Sequence, residues 1–157
     1  MTPEDLSRLR DILVGQRLIA LAVVVDGEPV IGLPPYALEK SMTALYVQAS
    51  RLARHSHGLV AGGPWSGVIH VPDSLEGDPM AVPRLVLEGV VDPLTPERPE
   101  AEPAARALRG RFASTAMTLS LGDFSLYRLE IRGGRLILGF GRALNLSLHH
   151  FDEIATS

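Results

Sequence analysis

Apolar runs too short for helices, each closed by a turn signal, constrain this chain more than any other feature. Residues 17–25 (RLIALAVVV) form the first, and Asp26-Gly27 behind them is a strong hairpin turn. Similar runs follow at about 29–36, 44–49, 65–71, 83–91, 124–131 and 135–140, the last two expected to pair across Gly133-Gly134. Six or seven strands, mostly hairpin-linked, predict a mainly β (α+β) fold that closes into an antiparallel barrel with short helices at its rim. Closure also removes the exposed edges that strands this apolar would otherwise present.

Helices are fewer. Thr2-Pro3-Glu4-Asp5 reads as a cap, a first-turn proline and two acids at the positive end of a dipole, and Leu6, Leu9, Ile12 and Leu13 follow at helical spacing. This predicts a helix over 3–15. A short helix is expected over 50–61, with Ser50 as cap, and another over 104–112. The stretch DPLTPERPEAEP packs four prolines and four acids into twelve residues and reads as a solvated connector. A single domain is therefore expected over 1–157, ending in a short polar tail, 144–157.

The chain has 157 residues, a hydrophobic fraction of 46% and a net charge of −3. These values exclude a disordered tail and argue against general nucleic-acid or anionic-membrane binding. There is no cysteine, which excludes disulfides, thiol catalysis and cysteine-ligated metals and fits a cytoplasmic protein. The longest apolar run, residues 18–25, is far short of the roughly 20 residues that span a bilayer. Basic residues are fourteen arginines and the single Lys40, so any anion site must be built from arginine, whose planar fork suits phosphate or carboxylate.

Gly139-Phe140-Gly141-Arg142 begins like a dinucleotide fingerprint, but the third glycine is missing and too little chain follows for a βαβ unit. His55 and His57 would stand about 200° apart on a helix, which disfavours joint metal binding. His70 lies within a strand and is expected to be buried. At Ser50-Arg51, where a strand is expected to give way to a helix, free N–H groups, a hydroxyl and arginines make a plausible phosphate site, against the plainer reading of a solvated helix start.

The segment ALYVQASRLARHSHGL resembles the strand-to-helix segment of the FMN-binding split barrels, the pyridoxamine-phosphate-oxidase-like superfamily. The order of GEPVIGLPPYA, that segment and GDPMAVPRLVLEGVV agrees with it, and GDFSLYRLEIRGGRLILGFGRA is similar to the haem-utilisation branch. The resemblance spans residues 13–143. It implies a split barrel of six to seven antiparallel strands, acting as a homodimer and binding FMN or haem between protomers.

As the resemblance implies, Ser50 and Arg51 would contact the FMN phosphate, with Leu33, Pro34, Tyr36, His55 and Arg84 as further cofactor-binding positions. Leu52 stands where the oxidases have lysine, and the second strand lacks their arginine; losing two cations weakens a dianion site. In the haem-handling branch a C-terminal histidine ligates the iron. That would be His149 or His150, with Asp123 on the far ring nitrogen and Arg142 on a propionate. The implied chemistry is flavin redox or oxygen-dependent haem breakdown, driven by the cofactor since no side chain offers an obvious general base. A non-catalytic haem or flavin carrier, or a cofactor-free interaction module, is the alternative.

Overall fold

The structure, a computed structural model, describes residues 1–156. Helix α1 (Pro3–Gly15) begins as expected: Asp5 N–H donates to Thr2 Oγ1 at 3.2 Å, and the Asp5 carboxylate accepts the Thr2 N–H at 2.9 Å. Strands β1 (Ala20–Val25) and β2 (Glu28–Gly32) turn at Asp26-Gly27, where φ is +52° and +79°, the handedness a two-residue hairpin needs. Next come β3 (Tyr36–Leu38), β4 (Ala44–Ser50), β5 (Pro64–His70) and β6 (Arg84–Leu94). Two helices, α2 (Ala101–Arg111) and α3 (Thr115–Ser120), lead to β7 (Phe124–Gly139), β8 (Arg142–Leu146) and α4 (Leu148–Ala155).

All pairing is antiparallel, in the order β2-β1-β5-β6-β7-β4-β3, with β8 on the free side of β7. The ends of this path meet just before the strands. Ile19 N–H donates to Pro34 O and Tyr36 N–H to Arg17 O, both at 3.1 Å, which closes the sheet on itself. Alternation along β5 and β6 points Trp65, Ile69, Leu85 and Leu87 inward, and α1 and α4 plug one side of this core. A second, smaller core forms where Ala104 and Leu108 of α2 cover Ala37 and Tyr46.

Four expectations need correction. There are eight strands: the 29–36 run breaks at Leu33–Pro35 so that Tyr36 starts a strand paired with β4 instead of β1, the 124–131 and 135–140 runs merge into one, and Arg142–Leu146 adds another. The expected helix over 50–61 is absent, leaving a single 3-10 turn at Arg54–Gly58. The expected hairpin at Gly133-Gly134 is one continuous 16-residue strand. Gly134, with Gly89, serves close strand approach: a Cβ at Gly134 would lie 2.3 Å from Val86 O, and one at Gly89 only 1.7 Å from Glu130 O. Finally, the C-terminal segment is no polar tail. It forms β8 and α4, and Phe151 and Ile154 are fully buried against α1 and β7.

Candidate functional site

The singled-out residues fall into two groups at opposite ends of the β6–β7 pair. At one end β4 runs out beside the start of β7, Ser50 pairing with Phe124. Ser50 Oγ donates to Asp123 Oδ2 at 2.5 Å, Arg51 N–H donates to Asp123 O at 2.8 Å, and Arg51 Nη2 donates to Gly122 O at 2.8 Å. Ser50 and Arg51 thus share a corner with Asp123, which was expected at a tail histidine, and the helix that was to supply free N–H groups and a dipole is missing. Leu52, at the lysine position, is 88% exposed. Asp123 is committed to Ser50, not to an imidazole.

Beside this corner opens a cavity of about 690 Å³, lined by Leu59, Leu94, Ala105 and Tyr127 among others. Its rim carries the Arg109–Glu102 ion pair, N···O 2.7 Å. None of the singled-out residues lines it.

The other end holds Arg84 and Arg142. Arg84 opens β6 opposite Ile137 of β7, and Arg142 opens β8. Both line a cavity of about 400 Å³ together with Arg135, which had not been singled out. Arg84 Nη1 donates to Val82 O at 3.2 Å, and Arg142 Nη2 reaches Asp5 Oδ1 at 2.5 Å. Asp5 is held below the usual carboxylate range, chiefly by the Thr2 backbone N–H and further by Arg142. Arg142 thus ties β8 to the start of α1, a partner invisible in sequence because 137 residues separate them.

Arg84 pairs with Ile137, while Leu94, ten residues on, pairs with Leu126 beside the Ser50 corner. At about 3.3 Å per residue the two groups stand about 30 Å apart. One ligand cannot bridge them within one protomer.

The remaining positions have other neighbours. Leu33 is 61% exposed and Pro34 is buried in the closure contact. Tyr36 is fully buried, donates to Leu13 O at 2.7 Å and lies under the Arg111 guanidinium; burial pushes its hydroxyl up to about 12. It is a core residue. The His55 ring packs on Gly32, where a Cβ would come within 2.6 Å of it, and its buried Nε2 has no hydrogen-bond partner among the described residues. Burial lowers its pKa. His70 is exposed, contrary to expectation, because the alternation along β5 turns Trp65 and Ile69 inward and His70 outward.

His149 is exposed on α4, its Nε2 3.5 Å from Glu153 Oε1. His150 Nδ1 accepts the Ser147 N–H at 3.0 Å, which leaves its proton on Nε2. As an iron ligand through Nε2, His150 does not fit this hydrogen bond, whereas His149 presents an accessible ring. Arg84 and Arg142 fit carboxylates. Among the described residues no helix is long and apolar enough to cross a membrane.

Neither a protein-family model nor a curated protein matches the chain. Solved structures do. A haem-binding protein from Mycobacterium smegmatis superimposes with a TM-score of 0.83 at 25% identity, over 98% of this chain and 62% of that one. The chain is a split barrel. The haem storage protein HutZ from Vibrio cholerae aligns with TM-score 0.74 and 20% identity, over 87% and 97% of the two chains. A Clostridium acetobutylicum protein of the pyridoxinephosphate oxidase family aligns with TM-score 0.69 and 11% identity, over 96% and 99%. Both branches of the resemblance are thus among the split barrel's neighbours, and the chain spans about three fifths of the Mycobacterium protein.

Proposed function

We propose that this split barrel binds haem in a cleft between two copies of the chain and acts in haem handling, as a carrier or in haem breakdown. The observation that carries the two-copy arrangement is the separation of about 30 Å along β6, ten residues at about 3.3 Å each. Arg84 and Arg142 reach the Ser50–Asp123 corner only if that corner belongs to another protomer. Exposed Leu18, Ile31 and Leu33, on and around the outer strand β2, supply apolar surface for such a partner.

Haem is favoured over FMN because the phosphate cradle is incomplete. Leu52 replaces a cation, the helix dipole is missing, and Arg51 already serves the Gly122 carbonyl. In the bound state Arg84 and Arg142 hold carboxylates, and His149, backed by Glu153, offers the imidazole. Bound haem would supply the redox and oxygen chemistry.

Haemin titrated into the purified protein should give a saturable Soret band at one haem per protomer or per pair, and light scattering should give the dimer mass. A monomer mass at micromolar protein, or a Soret spectrum equal to that of free haemin, overturns the reading.

The FMN reading retains one supporting feature, the exposed Arg51 side chain at the Ser50 corner. If FMN binds there, Arg51→Ala weakens it at least tenfold, since a charge-assisted phosphate contact is worth about 1.5–3 kcal/mol. An unchanged fluorescence titration removes that site.

A further inference from the structure

The 400 Å³ cavity between β6, β7 and β8 collects three guanidinium groups, and no carboxylate is among its lining residues. The register explains why. Arg84 faces Ile137 and Val86 faces Arg135 across the β6–β7 ladder, while Ala143 and Asn145 of β8 stand opposite Ile137 and Arg135. All six lie on the face opposite the buried Leu85, Leu87 and Leu136, so this is the barrel's outer surface. The tight turn at Gly139-Phe140-Gly141 then brings Arg142 back to the same place. It holds Gly139 at φ +140° and Gly141 at +75° and leaves Phe140 89% exposed.

Two of the arginines are steered by the protein. Arg84 is held by the carbonyls of Met80 and Val82, and Arg142 by Asp5. The Arg135 side chain has no hydrogen-bond or ion-pair partner among the described residues. Three cations around one cavity repel one another, and among the described residues the one acid ion-paired with any of them is Asp5, on Arg142. In a chain of net charge −3 this is a local concentration of positive charge, not a general basic surface. The floor is apolar, with Ile137 and Ala143, and Phe140 and Met80 stand exposed at the rim. Guanidinium forks above apolar side chains suit a flat, greasy molecule carrying more than one carboxylate.

We propose that Arg135, together with Arg84 and Arg142, forms the carboxylate-binding end of the ligand site and takes the paired carboxylates of a tetrapyrrole, whose ring lies against Phe140. This rests on the haem reading above. It adds a residue that neither motif nor resemblance pointed to, and it assigns the orientation of the ligand, carboxylates toward β8.

The test uses metal-free protoporphyrin IX, so that no iron ligand contributes, with its dimethyl ester as the uncharged counterpart. Binding to the full chain is followed by porphyrin fluorescence. Arg135→Ala should weaken the diacid at least tenfold and leave the thermal melt unchanged, Arg135→Lys should recover part of the loss, and the dimethyl ester should bind the parent weakly and be indifferent to R135A. Arg106→Ala, which removes an equal charge from the exposed face of α2, should change nothing. Equal affinity of R135A and parent for the diacid overturns the proposal while leaving haem binding intact. So does an ester that binds as tightly as the diacid. A parent that binds FMN in an Arg135-dependent way but not protoporphyrin assigns the cavity to a phosphate and overturns it. Failure of both haem and protoporphyrin to bind the parent removes this proposal and the haem reading together.

Discussion

Ser50 Oγ donates a 2.5 Å hydrogen bond to Asp123 Oδ2, which pins the last residue of β4 to the residue that precedes β7. Ser50 Oγ also accepts the Leu52 N–H at 3.1 Å, so the hydroxyl organises the turn out of β4 as well as the corner. Removing it strips a partly buried carboxylate of its partner.

Ser50→Ala should therefore lower stability by about 1–2 kcal/mol, the range for an unmet buried acceptor. Asp123→Asn, which still offers an oxygen to Ser50, should lose less. Urea denaturation of both variants checks this, and an S50A midpoint equal to the parent's would falsify the structural role given to the contact.

The β6–β7 crossing tolerates no side chain at Gly89. A Cβ there would sit 1.7 Å from the Glu130 carbonyl oxygen and 3.0 Å from Trp65 Nε1, and neither backbone nor buried indole can retreat. Gly89→Ala should destabilise by roughly 3 kcal/mol or prevent folding, through overpacking. Gly133→Ala is the matched comparison: its nearest contact is Leu146 O at 3.5 Å, so a change well below 1 kcal/mol is expected. Similar losses in the two variants would contradict the geometry.

Helix α4 belongs to the core. Phe151 is fully buried, and Arg10 bonds the Ile154 carbonyl across from α1. Phe151→Ala should cost about 3–5 kcal/mol. The double substitution of His149 and His150 by Ala should cost far less, because the first ring is exposed and the second bonds only the N–H and hydroxyl of Ser147 at the start of its own helix. Thermal melts separate the two expectations. A chain truncated before Ser147 that melts with the parent would refute the packing role of α4.

Acid should weaken the fold through Glu39. Arg128 holds it through two hydrogen bonds, at 2.7 and 2.9 Å, and Tyr46 donates to it at 3.1 Å, so its carboxyl falls from 4.5 to about 2, with the Arg128 hydrogen bond the largest cause. A folded-state value below the unfolded one means stability that is fully present above about pH 4.5 and lost as pH falls toward 2. Glu39→Gln should be less stable than the parent at neutral pH, with a flatter acid limb. At the alkaline end Tyr36 and Tyr46, both raised to about 12 mainly by burial, make stability fall as pH climbs from 10 to 12. A stability curve for E39Q parallel to the parent's between pH 4.5 and 2 would remove Glu39 from this account.

Local chemistry was enough to read most elements from sequence. The cap at Thr2, the two positive-φ residues at Asp26-Gly27 and the apolar alternation of β5 and β6 act over a few residues, and each forms as expected. Ser50 and Arg51 were legible together through the resemblance, whereas Asp123, expected beside a tail histidine, turns out to hold Ser50 instead. What sequence by itself determined was thus most of the strand segments, the barrel class and the one hairpin whose turn is closed by its own residues.

Only the tertiary structure decided the rest, because those decisions turn on partners far along the chain. Gly133-Gly134 reads as a turn until β6 lies alongside and the Val86 carbonyl takes the space a side chain at Gly134 would need. Ser50 begins no helix because the Asp123 and Gly122 carbonyls already take the Arg51 donors and a strand pairing holds the residue extended. The last residues look polar one by one, yet Phe151 and Ile154 find α1. Arg135 carries no motif at all. It becomes part of an arginine cavity because a β-ladder places residues 84, 135 and 142 side by side, and register between distant strands is a property of the closed sheet, not of any one segment.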